Sequence, residues 1–136
     1  MNEHRHTQRT VAAVEAFNAG DIDGYLSSYA PDAVIHGLPE HLEATVSGHR
    51  EFLLSMRESL PDFRADVHAF VAEGDSLAAR LTYTGTHRGM LHGVRPTGKV
   101  LRWDAMTFRR FDEEGLTVER WILGDNLSLL RQLGLL

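Results

Sequence analysis

Hydrophobic positions recur at helical spacing in the first part of the chain and at strand spacing afterwards. Val11, Val14 and Phe17 fall on one face of a helix predicted over Thr7–Ala19, which Gly20 can close in a left-handed conformation. Asp21 can cap a shorter helix whose Ile22, Tyr25, Leu26 and Tyr29 share a face until Pro31 stops it. Ala33–His36 reads as a short strand. Phe52, Leu53, Met56 and Leu60 mark a third helix, ended by Pro61-Asp62. Beyond residue 63 the period falls toward two: Ala65, Val67, Ala69 and Val71 alternate with Asp66, His68, Phe70 and Ala72. Glu73–Ser76 turns that strand into a second, Leu77–His87, with Leu81 and Tyr83 opposite Arg80, Thr82 and Thr84. A Gly-rich connection, Arg88–Lys99, leads to a third strand through Arg110. Asp112–Gly115 turns into a fourth, Leu116–Leu123, and Asp125 can cap a last helix carrying Leu127, Leu130 and Leu133. Helices first and a four-strand meander afterwards predict an α+β domain, with helices packed on one face of an antiparallel sheet.

Composition narrows the function. With 136 residues the chain suits one domain with a single core. The formal charge is −5, and the fourteen Lys and Arg are scattered rather than gathered in a stripe, which argues against nucleic acid as a partner. The absence of cysteine excludes disulfides, thiolate zinc sites and a cysteine nucleophile. The polar segment Met1–Arg9 lacks the apolar core of a signal peptide, and no apolar run approaches bilayer length, so a cytoplasmic protein without a membrane partner is expected.

Several fragments, in their order and spacing, resemble one family. They are Tyr29-Ala30-Pro31-Asp32-Ala33-Val34-Ile35-His36, Thr86-His87-Arg88-Gly89, Pro96-Thr97-Gly98-Lys99, Trp103, Arg109-Arg110-Phe111, Val118-Glu119-Arg120-Trp121, Asp125 and Gln132-Leu133-Gly134. The chain is similar, over nearly its whole length, to the SnoaL-like polyketide cyclases of the nuclear-transport-factor-2-like superfamily. That resemblance implies a cone-shaped barrel of curved sheet wrapped around the N-terminal helices. It also implies a homodimer through the outer sheet faces, a small-molecule ligand, and no metal or organic cofactor. Because the fold hosts many activities, three functions stay open: a cyclase or isomerase-type enzyme, a non-catalytic binding module, and an epoxide-hydrolase-like enzyme.

The SnoaL-type reaction is an intramolecular aldol closure, in which a partly desolvated aspartate removes a proton beside a carbonyl and nearby donors hold the enolate. Where that family carries its aspartate, next after the strand Trp, this chain has Ile122. Strand alternation puts Val118, Arg120 and Ile122 on one face. Asp104, inside a strand and on the same face as Met106 and Phe108, is a candidate relocated base; a structural ion pair with Arg120 explains it equally well. Asp125 is a second candidate, although its place before a leucine-rich helix suits a plain N-cap. His36 and His87 would look into the mouth of the pocket as donors, or be ordinary histidines satisfied by backbone or solvent. His4, His6, His41 and His49 lie in polar or helical surface contexts. His87 and His92 lack the carboxylates a metal site needs. Tyr25, Phe52, Met56, Met106, Phe108 and Ile122 are expected to line the pocket, or simply to fill the core. Trp103 and Trp121 are expected on the outer face, at a subunit interface.

Overall fold

The computed structural model describes residues 2–136. Four helices and five strands follow in the order α1 (Asn2–Asn18), α2 (Ile22–Leu26), β1 (Tyr29–His36), α3 (Val46–Ser59), β2 (Arg64–Glu73), β3 (Ser76–Thr86), β4 (Val100–Phe111), β5 (Thr117–Gly124) and α4 (Asn126–Gln132). The strands form one sheet in the order β1-β5-β4-β3-β2. β2 to β5 make the expected antiparallel meander, whereas β1 lies parallel to β5 and adds a fifth strand at the edge. The sheet is curved but open, so the closed barrel implied by the resemblance does not form. α1 crosses β2 and β3, α3 lies against β1, and α4 sits beside β4.

Each departure from the sequence pattern has a local cause. α1 turns His6, Thr10, Ala13 and Phe17 inward and leaves Val11 exposed, because His6 stacks on Phe111 with ring centroids 4.1 Å apart. α2 is a single turn, since Tyr29 already pairs with Thr117 as the first residue of β1, and the residues before Pro31 favour extended backbone. α3 begins six residues ahead of Phe52, where the Thr45 side chain accepts from the Gly48 amide at 3.1 Å. In β2 a register shift between Val67 and Ala69 reverses the alternation, so Phe70 and Ala72 replace Ala69 and Val71 on the inner face.

The largest correction concerns β4. Leu101, Trp103, Ala105, Thr107, Arg109 and Phe111 face the helices, while Arg102, Asp104, Met106, Phe108 and Arg110 face away from them. Trp103 stacks on Phe63 inside the core, and only Trp121 is on the outer face. Both sides of this strand carry large apolar side chains, so its pattern does not identify the inner one.

Where β5 ends, Gln132 of α4 takes over the hydrogen bonds of β4. Its side chain accepts from the Arg102 amide at 2.9 Å and donates to the Arg102 carbonyl at 2.7 Å, which satisfies an otherwise open strand edge. Among the described residues no helix is long and apolar enough to cross a membrane.

At the end of β1 the chain passes against β5 at Gly37, which has φ +97° and leaves no room for a side chain: a Cβ there would stand 2.1 Å from the Ile122 carbonyl oxygen. Gly37→Ala is expected to destabilise the protein by about 2 kcal/mol, through left-handed strain together with that clash. Urea denaturation should show a lower midpoint with an unchanged slope, and an unchanged midpoint would contradict this account.

Candidate functional site

The helices and the sheet enclose a group of polar side chains delivered by five elements. Tyr25 comes from α2, whose cap, the Asp21 carboxylate, accepts from the Gly24 amide at 2.9 Å. Tyr29 opens β1, and His49 lies on the first turn of α3. Arg109 of β4 and Arg120 of β5 are directly opposed across the strand pair, both on the inner face and both buried.

One Nη of Arg120 donates to the Tyr25 hydroxyl at 2.6 Å and to the Tyr29 hydroxyl at 2.9 Å. The two hydroxyls share a hydrogen bond of 2.7 Å, and the Tyr25 hydroxyl also meets His49 Nε2 at 2.9 Å. Arg109 donates to the Thr117 hydroxyl at 3.1 Å and lies over the Tyr29 ring, 5.0 Å from its centroid. Among the described residues no carboxylate pairs with either arginine.

This environment moves His49, Tyr25, Tyr29 and Arg120 from their ordinary values. Burial, reinforced by the two guanidiniums, holds His49 well below its ordinary value, so the imidazole is neutral. Burial raises the Tyr25 phenol more than Arg120 lowers it. Burial would also raise Tyr29, but Arg109 and Arg120, with hydrogen bonds from Tyr25 and Arg120, outweigh it and bring that phenol below the usual tyrosine value. Burial opposes the charge of Arg120, yet the surrounding phenols keep it firmly protonated.

Beside this cluster is a cavity of about 30 Å³, enough for one water-sized group. Val14, Phe17, Val67 and Phe70 form its apolar wall, and Tyr25, Arg109 and Arg120 reach its polar side. The arrangement can hold a carbonyl oxygen and stabilise negative charge that develops on it, because buried donors fixed in place need no reorganisation.

Of the residues singled out in the sequence, Arg120 and Tyr25 meet here. Ile122 also faces inward and packs against the core opposite Thr107, but it does not line the cavity. Asp104 is on the other side of the sheet, where it accepts from Thr82 at 2.7 Å, so it neither reaches the cavity nor pairs with Arg120. The carboxylate–guanidinium pair that an epoxide hydrolase would need is therefore not assembled. Asp125 accepts from the Ser128 amide at 3.0 Å as the N-cap of α4. His36 is on the outer face, stacked on Trp121 and 2.8 Å from Glu119. His87 is buried at the end of β3, bonded to Thr97 at 2.9 Å rather than open to the cavity. Met106 and Phe108 face outward, Met56 is in the core, and Phe52 is half-buried beside His49. Among the described residues no His, Asp and Glu side chains cluster as metal ligands.

Sequence reasoning missed His49, Arg109 and the role of Tyr29. His49 stands four residues before Leu53 and seven before Met56, so the helical period already placed it on the buried face. Arg109 could not be found while β4 was read with its faces exchanged.

The chain belongs to the SnoaL-like polyketide cyclase family, whose sequence model matches residues 7–133. Its fold is shared by the candidate hydroxylase AclR of Streptomyces galilaeus, with a TM-score of 0.89, 30% identity and 98% of each chain covered. The candidate polyketide cyclase IdmH of Streptomyces antibioticus has a TM-score of 0.83 and 34% identity, covering 96% of this chain and 99% of its own. TsrD of Streptomyces laurentii follows with a TM-score of 0.82 and 26% identity over 96% of this chain and 95% of its own. A comparison with curated protein sequences gives no significant match.

The depressed His49 pKa carries a stability signature. Below about pH 6.5 the unfolded chain takes up a proton that the folded site refuses, so stability falls with pH by up to about 1.4 kcal/mol per unit until the folded value is reached. His49→Gln should flatten this acid limb below about pH 6 in denaturant titrations. An unchanged slope would show that His49 is not the group responsible.

Proposed function

We propose that this chain is a cofactor-free cyclase or isomerase-type enzyme that acts on a polyketide-like or aromatic carbonyl compound, with the reacting carbonyl directed at Arg120. The observation that carries this reading is the buried Arg120 guanidinium, donating to two phenols beside an apolar cavity with no carboxylate to neutralise it. A developing enolate oxygen is the kind of group such a site favours over the neutral ground state. At about 30 Å³ the cavity holds the carbonyl group itself, and a ring system requires the α1 and β2 side chains on its wall to part. A candidate hydroxylase and a candidate cyclase resemble the chain to similar degrees, so its relatives do not choose the reaction.

A non-catalytic binding module is the second reading, favoured by the lack of any carboxylate among the described residues that line the cavity. Turnover of any carbonyl substrate decides against it.

Neutral or weakly acidic aromatic carbonyl compounds should raise the thermal transition of the wild type. A ligand at a hundred times its Kd adds about 2.7 kcal/mol. Tyr25→Phe should weaken that effect. Stabilisation by phosphorylated or strongly cationic compounds alone would contradict the reading.

The proposal includes a homodimer through the outer sheet face. Met106, Phe108, Trp121 and Leu123 are 62%, 40%, 38% and 78% exposed there and adjoin across β4 and β5, an apolar patch that water disfavours. Light scattering at micromolar concentration should give twice the chain mass, and Trp121→Glu should shift it toward the monomer. A monomeric wild type, or a dimer indifferent to Trp121→Glu, would rule this interface out.

A further inference from the structure

Arg109 and Arg120 confront each other across adjacent strands inside the protein, where like charges directly opposed are destabilising and a buried charge is nearly always paired. The groups packed around them are Tyr25 of α2, Tyr29 of β1, His49 of α3 and Tyr83 of β3. No carboxylate is among them.

Counting hydrogens in the cluster exposes a second imbalance. Arg120 only donates, so the acceptors for the two phenolic hydrogens are the two phenol oxygens and His49 Nε2. If His49 carries its proton on Nδ1, Tyr29 donates to Tyr25 and Tyr25 to Nε2, but the Nδ1 hydrogen is buried without a partner. If the proton is on Nε2, that nitrogen donates to Tyr25 and Tyr25 to Tyr29, and the Tyr29 hydrogen has nowhere to go. With both tyrosines protonated the phenol–imidazole set thus always contains one orphaned donor, besides the buried Arg120 Nε that lacks a partner in either state, and such an orphan is costly in a protein interior. Loss of the Tyr29 proton removes the orphaned phenolic donor and leaves both phenol oxygens bonded, with only the weaker demand of an unpartnered Nδ1 lone pair on His49 remaining beside Arg120 Nε. Tyr29 is favoured over Tyr25 because it touches both cations: Arg120 donates to its oxygen at 2.9 Å, and Arg109 lies over its ring, whose π-face becomes more negative on ionisation.

We infer that the counter-charge of the two buried arginines is the phenolate of Tyr29, which makes a tyrosine, and not a carboxylate, the proton-accepting group of the site. The catalytic part of this assignment rests on the carbonyl-pocket reading above. With a carbon acid in the cavity, the C–H bond next to the carbonyl breaks and its electron pair enters an enolate held by Arg120. The proton passes to the Tyr25 oxygen while the Tyr25 proton moves to Tyr29. The same path returns it once the new bond has formed, so no oxidant, reductant or further reactant is consumed. Tyr25 touches both the cavity and Tyr29, and Tyr29 acts through it as a positioning and proton-storing residue.

Ultraviolet titration of tyrosinate in the ligand-free protein tests the assignment. Of the three tyrosines, one should already absorb as tyrosinate at neutral pH, against a free value of about 10, and that absorbance should vanish in Tyr29→Phe but persist in Tyr83→Phe. Arg109→Gln should move its ionisation upward by about one unit or more, since it removes one of the two cations. If the folded wild type shows no tyrosinate at neutral pH, or if the neutral-pH tyrosinate survives in Tyr29→Phe, the inference is overturned. The wild-type titration decides alone should a variant fail to fold. It needs no substrate, so neutral-pH tyrosinate without carbonyl ligand binding would defeat only the proposed function, and ligand binding without that tyrosinate would defeat only this inference.

Discussion

Burial of the Arg120 guanidinium constrains the surrounding structure more than any other single interaction. Removing a cation from water is expensive unless its hydrogens find acceptors, and here one nitrogen is met by two phenols delivered by different elements. α2 must end after one turn so that Tyr29 can start β1, and β1 must lie parallel beside β5 so that Tyr29 reaches the arginine. α3 must in turn pack against β1 so that His49 closes the far side of Tyr25. The polar cluster therefore ties the edge strand and the helices α2 and α3 to the middle of the sheet. Phe17 of α1 stands edge-on to Tyr25 and completes the wall.

The same geometry explains why the chemistry of this site differs from the pattern suggested by the family resemblance. A carboxylate opposite Arg120 would neutralise it; the residue opposite is instead a second arginine. Ile122, next on the inner face of β5, supplies only shape. Positive charge is left facing an apolar cavity, a combination that favours the more anionic of two states of a bound molecule or of a nearby phenol. The two faces of the sheet thus have separate tasks. The inner one concentrates cationic and phenolic groups in a buried space. The outer one presents aromatic and aliphatic side chains, with the His36–Glu119–Arg110 chain of polar contacts bordering them.

Much of the architecture was legible along the chain. Helical and strand periods, turn residues and caps are local properties, so α1, the meander of β2 to β5 and the Asp125 cap of α4 could be placed without tertiary information. Arg120 and Tyr25 were identifiable because a cation inside an alternating strand and a tyrosine on an apolar helix face are both unusual enough to notice. His49 was equally available from its spacing to Leu53 and Met56, but a histidine early in a polar-looking segment carries little weight by itself.

What the sequence determined was which residues alternate together; what only the tertiary structure decided was which set faces the helices. Along β4 one set holds Leu101, Trp103 and Phe111 and the other Val100, Met106 and Phe108, so local hydrophobicity is balanced and registry with β3 and β5 breaks the tie. That choice sends Arg109 inward and Asp104 outward, and with them the sign of the charge in the cavity. The shift in β2 and the parallel seating of β1 are decided in the same way, by hydrogen bonds between segments far apart in the chain. No pattern confined to one segment can encode a partner strand, because the free energy that selects it is shared with the segment on the other side.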